Sequence, residues 1–123
     1  LQNNHWKNNL VLLEQEIEKF VHTPGKEQHG ILLKWIHTKY NIISTVTRKV
    51  FWATGKNTVV VNTGFFKEND QVYVRSNKNL QPLIEQGKTL GFRCGGKKEV
   101  CGAVVPKQKT EFFLQEIFAF LAS

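Results

Sequence analysis

The fold class depends on residues 58–75, which read TVVVNTGFFKENDQVYVR. β-Branched and aromatic residues dominate both halves of this stretch, and such residues pack well on a pleated sheet. Val72 and Val74 alternate with polar neighbours, which is typical of a strand with one buried face. The polar segment 67–70 lies between the two halves, so we predict a β-hairpin closed by a four-residue loop.

A second hairpin is predicted nearer the carboxyl end. Segments 89–94 and 100–105 are strand-like, and the sequence Gly95-Gly96-Lys97-Lys98 joins them. The preceding segment 80–86 contains Pro82, which argues against a central strand because proline donates no backbone hydrogen bond.

Helices are predicted at both ends of the chain. Large apolar residues near the amino end recur at spacings of three and four, which indicates one face of an α-helix, and Thr23-Pro24-Gly25 ends it. The same spacing returns after Thr110, which is a candidate N-cap residue. The apolar residues on the two faces are Trp6, Leu10, Leu13, Ile17 and Phe20, and Phe113, Ile117, Phe120 and Leu121.

Residues 28–40 are interpreted as a second helix. Its apolar residues, such as Ile31 and Trp35, would share one face and leave Lys34 and Thr38 toward water.

Residues 42–53 fit two interpretations. Their many β-branched residues favour a strand, which we prefer. The alternative is a helix with Ser44 as its N-cap, which would give residues 28–75 a winged-helix-like arrangement. The apolar residues that fit the helical stripe are Ile42, Ile43, Val46 and Val50.

The predicted fold is therefore α+β. Two N-terminal helices and one C-terminal helix would pack on one face of a mostly antiparallel sheet built from consecutive hairpins. A chain of 123 residues can bury enough surface to fold without metal or disulfide, so residues 1–123 are expected to form a single domain.

The positive charge of the chain is concentrated in its middle. The net charge is +7, and residues 42–109 hold twelve Lys and Arg against four Asp and Glu, a local net charge of +8. Such a field attracts an anionic partner. We expect nucleic acid, bound through its phosphates, and an acidic protein partner is the alternative for an interaction or inhibitor module.

Basic and aromatic residues alternate within this segment, as in proteins that neutralise phosphates and stack on bases. Tyr73 shares a strand face with Arg75, opposite Val72 and Val74, so its ring is expected to be exposed. The Gly-Gly-Lys-Lys tip is a further candidate phosphate contact. The candidate nucleic-acid-binding residues are Arg48, Lys49, Trp52, Lys56, Tyr73, Arg75, Lys78, Arg93, Lys97 and Lys98.

Catalysis is a separate hypothesis. A small metal-independent ribonuclease of toxin type needs a base and a phosphate-binding cation, which His37 with Lys39, Arg48 or Lys49 would supply. We do not favour an enzyme, since one histidine on a helix is more often solvated. The sequence contains neither a P-loop nor a dinucleotide-binding motif, and Asp70 is its only Asp, so no cofactor or metal is expected.

The chain has two cysteines, Cys94 and Cys101. Free thiols are the simplest interpretation and predict a reducing, cytoplasmic compartment. A cross-strand disulfide is the second interpretation, since the two would lie nearly opposite each other in the second hairpin. A zinc site completed by His22 and His29 is the third, although its ligand spacing is unusual.

No apolar run is long enough to span a membrane, and the polar, then amphipathic amino end is unlike a signal peptide. The chain begins with Leu1 and contains no Met, which is typical of a trimmed or processed segment and compatible with a removed leader.

Overall fold

The computed structural model describes residues 2–123, with side chains from residue 7 onward. Trp6, expected on the first helical face, lies outside the described side chains. Within the described residues the chain forms four α-helices, six strands and one short 3₁₀ turn. In chain order they are α1 (Gln2–His22), β1 (Lys26–Gln28), β2 (Ile31–Ile36), α2 (Ile43–Thr54), β3 (Asn57–Asn62), β4 (Asn69–Arg75), α3 (Gln81–Thr89), β5 (Arg93–Lys97), β6 (Val100–Pro106), the 3₁₀ turn Lys107–Lys109 and α4 (Thr110–Ala122).

The strands form one mixed sheet in the order β1-β2-β3-β4-β6-β5. Only β2 and β3 are parallel among the described strands, and the other four pairings are antiparallel. The α+β class and the mostly antiparallel sheet are therefore confirmed. Both predicted hairpins form, but the loop between β3 and β4 spans residues 63–68 rather than four residues. In the second hairpin the first strand is β5 rather than residues 89–94, so Gly95, Gly96 and Lys97 lie in the strand and residues 98–99 form the turn.

The prediction for residues 28–53 is wrong in both halves. Residues 28–40 contain the strand β2 rather than a helix, and residues 42–53 form the helix α2 rather than a strand. The β2–α2–β3 segment is a crossover that joins two parallel strands, and an α-helix such as α2 is the usual connection between such strands. Only one helix is thus N-terminal to the sheet, and the winged-helix alternative is also wrong.

Helix α2 buries the apolar stripe of the alternative helical interpretation, with Ile43, Val46 and Val50 in contact with the sheet. Its N-cap residue is Ile42, which makes no side-chain cap, so Ser44 does not have the predicted role. The cap prediction at Thr110 is wrong too. Lys109 is the N-cap residue of α4, and the Thr110 hydroxyl donates instead to the carboxylate of Asp70.

Helices cover both faces of the sheet, not one as predicted. Val60 and Tyr73 face α1 and α2. Their strand neighbours Val59 and Val72 point the opposite way, into a core that α3 and α4 close. Successive side chains of β3 and β4 point to opposite faces of the sheet, so both strands contribute residues to both cores. No helix in the described part of the chain is long and apolar enough to cross a membrane.

Candidate functional site

An open groove lies over β4, β6 and β5, on the face of the sheet that carries Tyr73. It consists of two adjoining hollows, of about 460 Å³ and about 550 Å³, which share Tyr73, Gly96 and Val100 in their walls. Helix α2 packs over β3 and β4 and so borders the groove. We call the two hollows together the sheet groove.

Two glycines form the floor of the sheet groove. Gly102 of β6 pairs with Tyr73 on one side and with Gly95 of β5 on the other. A Cβ built on Gly95 would meet no atom within 4 Å, so the space above this residue is open. A Cβ on Gly102 would lie 2.8 Å from Cζ of Tyr73, so the tyrosine ring fills the neighbouring space. The missing side chains expose the backbone of the sheet to a ligand.

Cationic side chains border this floor. Arg93 lines the first hollow, and Arg75, Lys97 and Lys98 line the second. The register aligns Arg93 and Lys97 along the edge strand β5, on the same face as Gly95. Arg93, Lys97 and Lys98 are exposed, whereas Arg75 is half-buried. Glu99 is the acidic residue in the lining of the groove.

Phe65 and Phe66 lie at the wall of the first hollow, in the loop between β3 and β4. Their ring centroids are 4.8 Å apart in an edge-to-face arrangement, and both are half-buried. A chain of amides supports the neighbouring wall. Asn62 Nδ2 donates to Gln71 Oε1 over 3.0 Å, and Gln71 Nε2 donates to Asn41 Oδ1 over 2.9 Å.

Trp52 lies beside the other end of the sheet groove, next to Arg75. Its side chain is 66% exposed, and the guanidinium carbons of Arg48 and Arg75 lie 5.2 and 5.8 Å from its ring centroid. Such distances are typical of cation–π contacts. The Nε atoms of both arginines are buried and have no hydrogen-bond acceptor among the described residues. The cluster therefore combines an exposed ring with unsatisfied cationic donors.

The structure brings together most of the predicted site residues. Tyr73, Arg75, Arg93, Lys97 and Lys98 line the sheet groove. Trp52 adjoins the groove through its contact with Arg75, and Arg48 contacts the same Trp52 ring. Tyr73 is half-buried, not exposed as expected, because α2 covers the face that it shares with Arg75.

Three predicted residues are not brought to the sheet groove. Lys49 lies 3.4 Å from Glu18 of α1, and Lys56 lies 2.7 Å from Glu27 of β1, both as ion pairs. Lys78 Nζ donates to the carbonyl of Phe120 over 2.7 Å, at the end of α4. These cations therefore stabilise contacts within the fold.

Several lining residues were missed by the sequence reasoning. Phe65 and Phe66 carried a signal, because two adjacent phenylalanines beside Gly64 interrupt a strand pattern. Gly95 and Gly96 were expected to contact phosphate as part of the Gly-Gly-Lys-Lys tip, but the position of Gly95 beside Gly102 on the floor depends on strand register, which the sequence does not display. The other lining residues outside the predicted set are Asn41, Ser44, Gln71, Cys94, Glu99, Val100, Ala103 and Val104.

The residues considered for catalysis and metal binding, His37 and the two cysteines, do not form a metal-binding cluster among the described residues. His37 Nδ1 lies 2.9 Å from Thr63 Oγ1, and the ring is exposed. No group of three or more His, Cys, Asp or Glu within the described residues could hold a metal ion. Cys94 and Cys101 are free thiols with their Sγ atoms 3.6 Å apart. They are not opposite each other, since Cys94 pairs with Ala103 and Cys101 with Gly96.

No protein-family model matches the sequence, and no curated protein matches it either. Solved structures share its fold. RecJ from Thermus thermophilus, in complex with Mn²⁺, is similar over 94% of this chain, with a TM-score of 0.67 and 18% identity. The pGpG-specific phosphodiesterase PggH from Vibrio cholerae is similar over 86% of the chain, with a TM-score of 0.57 and 13% identity.

The C-Ala domain of alanyl-tRNA synthetase from Aquifex aeolicus is similar over 82% of the chain, with a TM-score of 0.58 and 11% identity. The similar region is all of that domain, but only 17% of the RecJ chain and 38% of the PggH chain. The chain thus spans well under half the length of the two larger proteins. At these identities the similarity concerns the fold.

Proposed function

We propose that residues 1–123 form one binding domain that holds nucleic acid in the sheet groove, mainly through phosphate contacts and with little base specificity. The observation that carries the proposal is the arrangement of Arg75, Arg93, Lys97 and Lys98 around a floor of glycine.

Phosphate binding follows from the charge and shape of this surface. Cations that neutralise phosphates release condensed counterions, which supplies sequence-independent affinity. The open space above Gly95 lets a sugar–phosphate chain approach the sheet between Arg93 and Lys97. A groove that follows a strand edge suits a single strand better than the stiff cylinder of a duplex.

Aromatic rings at the two ends of the sheet groove would complement the cations. Trp52 is exposed beside Arg75, and Phe65 and Phe66 line the opposite end. Base–aromatic stacking contributes about 1–3 kcal/mol for each base and tolerates any sequence. The fold similarity to RecJ, described as an exonuclease, and to a domain of a tRNA synthetase is compatible with this proposal.

A salt titration tests the proposal. Labelled single-stranded RNA, single-stranded DNA and duplex DNA of equal length are titrated with the protein from about 50 to 200 mM salt. We expect binding at the lowest salt and a steep loss as salt rises. Absence of binding to all three probes at about 50 mM salt would refute the proposal.

Charge variants locate the surface. Lys97→Gln and Lys98→Gln should each weaken binding to all sequences and lower the salt slope by about one. Lys26→Gln is the matched control, because Lys26 is exposed on β1 at the opposite edge of the sheet. An equal effect of Lys26→Gln would show that binding follows total charge and not the groove.

A further inference from the structure

The two cysteines of the chain lie in contact at the edge of the sheet, with 3.6 Å between their Sγ atoms. We propose that they are a redox modification site, in which Cys94 reacts with a low-molecular-weight disulfide and Cys101 then closes an intramolecular disulfide. The site lies directly below the sheet groove.

The strand register places both thiols on one face. Cys94 pairs with Ala103, which is two residues from Cys101, so the cysteines are diagonal neighbours on adjacent strands. This face is the one that α3 covers, since a Cβ on Gly87 of that helix would lie 2.7 Å from Cys94 Sγ. Only a glycine therefore leaves room for the Cys94 sulfur.

A disulfide requires the sulfurs to move from 3.6 Å to about 2.05 Å. A diagonal pair is more widely spaced than a directly opposed pair, so one strand must shift toward the other. β5 is suited to this shift because it is the edge strand and is bonded on one side only. Gly95 and Gly96, which directly follow Cys94, give its backbone unusual freedom.

The two thiols differ in reactivity. Cys94 is half-buried, whereas Cys101 is 1% exposed. The hydrogen bond from Cys101 holds the pKa of Cys94 below its usual value, with a smaller contribution from Lys88, while burial and Glu85 oppose this shift. The same hydrogen bond and burial raise the pKa of Cys101. Because the accessible thiolate is the nucleophile, Cys94 attacks first and Cys101 is the resolving thiol.

The reaction balances with a glutathione-type disulfide as oxidant. The Cys94 thiolate attacks one sulfur of the oxidant, a mixed disulfide forms, and one thiolate leaves. Cys101 then attacks Cys94 Sγ, and the second thiolate leaves with the proton that Cys101 loses. Both cysteine thiols are oxidised by two electrons in total, and the oxidant is reduced to two thiols.

Oxidation would alter the sheet groove, a consequence that rests on the proposed function. Arg93 and Lys97 flank the reacting segment on β5 and project to the other face. Drawing Cys94 toward Cys101 moves this strand, so the cations at the groove border lose their positions. We expect the affinity for single-stranded oligonucleotide to fall by about threefold to tenfold on oxidation and to return on reduction.

The experiment incubates the reduced protein with oxidised glutathione and follows thiol number and intact mass. We expect both thiols to disappear, no glutathione to remain bound, and dithiothreitol to restore the thiols. Cys101→Ala should instead stop at a stable glutathione adduct on Cys94. Cys94→Ser should keep its remaining thiol reduced, since Cys101 is buried. Circular dichroism verifies that both variants are folded.

Two outcomes would overturn the modification site. One is a wild-type protein that keeps both thiols while the same chain reacts in denaturant. The other is a wild-type glutathione adduct that Cys101 never resolves. Failure of the proposed nucleic-acid binding can be distinguished from failure of the redox site. In that case the disulfide would form, but neither the reduced nor the oxidised protein would bind oligonucleotide. Disulfide formation with an unchanged affinity would refute the regulation alone.

Discussion

The ring of Tyr73 occupies the space that a side chain on Gly102 would need, because a Cβ at position 102 would lie 2.8 Å from Tyr73 Cζ. The two residues pair directly across β4 and β6. This contact holds the tyrosine half-buried between the α2 side of the sheet and the open strands. It also leaves the neighbouring Gly95 as the uncovered part of the groove floor.

Substitution of the two floor glycines should therefore change different properties, stability for Gly102 and oligonucleotide affinity for Gly95. Gly102→Val should destabilise the fold by about 1–3 kcal/mol, because the new side chain must displace Tyr73. Gly95→Val meets open space, so its stability should stay close to wild type while oligonucleotide affinity falls. Urea unfolding and an oligonucleotide titration of both variants measure the two effects. Normal binding by Gly95→Val would show that the ligand does not approach this floor.

Trp52 offers a matched comparison with Trp35. Both rings are exposed, by 66% and 44% respectively, but Trp35 lies on β2, away from the sheet groove. Trp52→Ala should lower the affinity for single-stranded oligonucleotide by about 1–3 kcal/mol, through lost stacking. Trp35→Ala should leave affinity unchanged. Equal losses in both variants would contradict a specific role for Trp52.

Asp70 joins three elements and should be important for stability. Its buried carboxylate accepts a 2.6 Å bond from Lys107 Nζ and a 2.7 Å bond from the Thr110 hydroxyl. Asp70→Asn should lower the free energy of unfolding by about 1–3 kcal/mol, because the charge-assisted bond from the half-buried Lys107 is weakened while the amide oxygen can still accept from Thr110. Glu68→Gln, in the exposed loop beside it, is the control and should change stability little. Denaturant unfolding distinguishes the two.

Lys34 should stabilise the end of α1 from within the sheet. Its side chain is buried, and Nζ donates to the carbonyl groups of Phe20 over 2.9 Å, of Val21 over 2.8 Å and of Thr23. Lys34→Met would leave these acceptors without a donor, so the free energy of unfolding should fall by about 1–3 kcal/mol. Lys26→Met, at an exposed site on β1, should have little effect. The urea concentrations at the unfolding midpoints of the wild type, Lys34→Met and Lys26→Met measure these effects.

The pH dependence of this contribution has a defined sign. Burial lowers the pKa of Lys34 from its ordinary 10.5. Between its folded pKa and 10.5 the unfolded chain binds more protons than the folded chain, so the free energy of unfolding of the wild type gains an increment as pH rises, and this increment is absent below the folded pKa. The stability difference between wild type and Lys34→Met should therefore grow as pH rises toward the ordinary lysine pKa of 10.5. A difference that shrinks over this range would contradict the lowered pKa.

Lys34 also shows where the sequence reasoning failed. Read as helical, residues 28–40 direct Lys34 and Thr38 toward water, whereas both side chains are buried. The run Ile31–Ile36 is apolar enough for either structure, and its parallel pairing with β3 makes it a strand. Once β2 and β3 are parallel, the segment between them must cross over, and the helical stripe of α2 is then favoured over its β propensity.

The sequence by itself determined the features that depend on local periodicity and composition. These include the helices α1 and α4, the two hairpins, the α+β class and the concentration of cations after residue 42. Each of them follows from residues close together in the chain. Tertiary structure alone decided which part of the sheet stays open, namely the Tyr73 face over β4, β6 and β5. The strand order β3-β4-β6-β5 and the position of α2 depend on pairings between distant segments. Those pairings place cations around Gly95 and Gly102 and place the Cys94 thiol in contact with the Cys101 thiol.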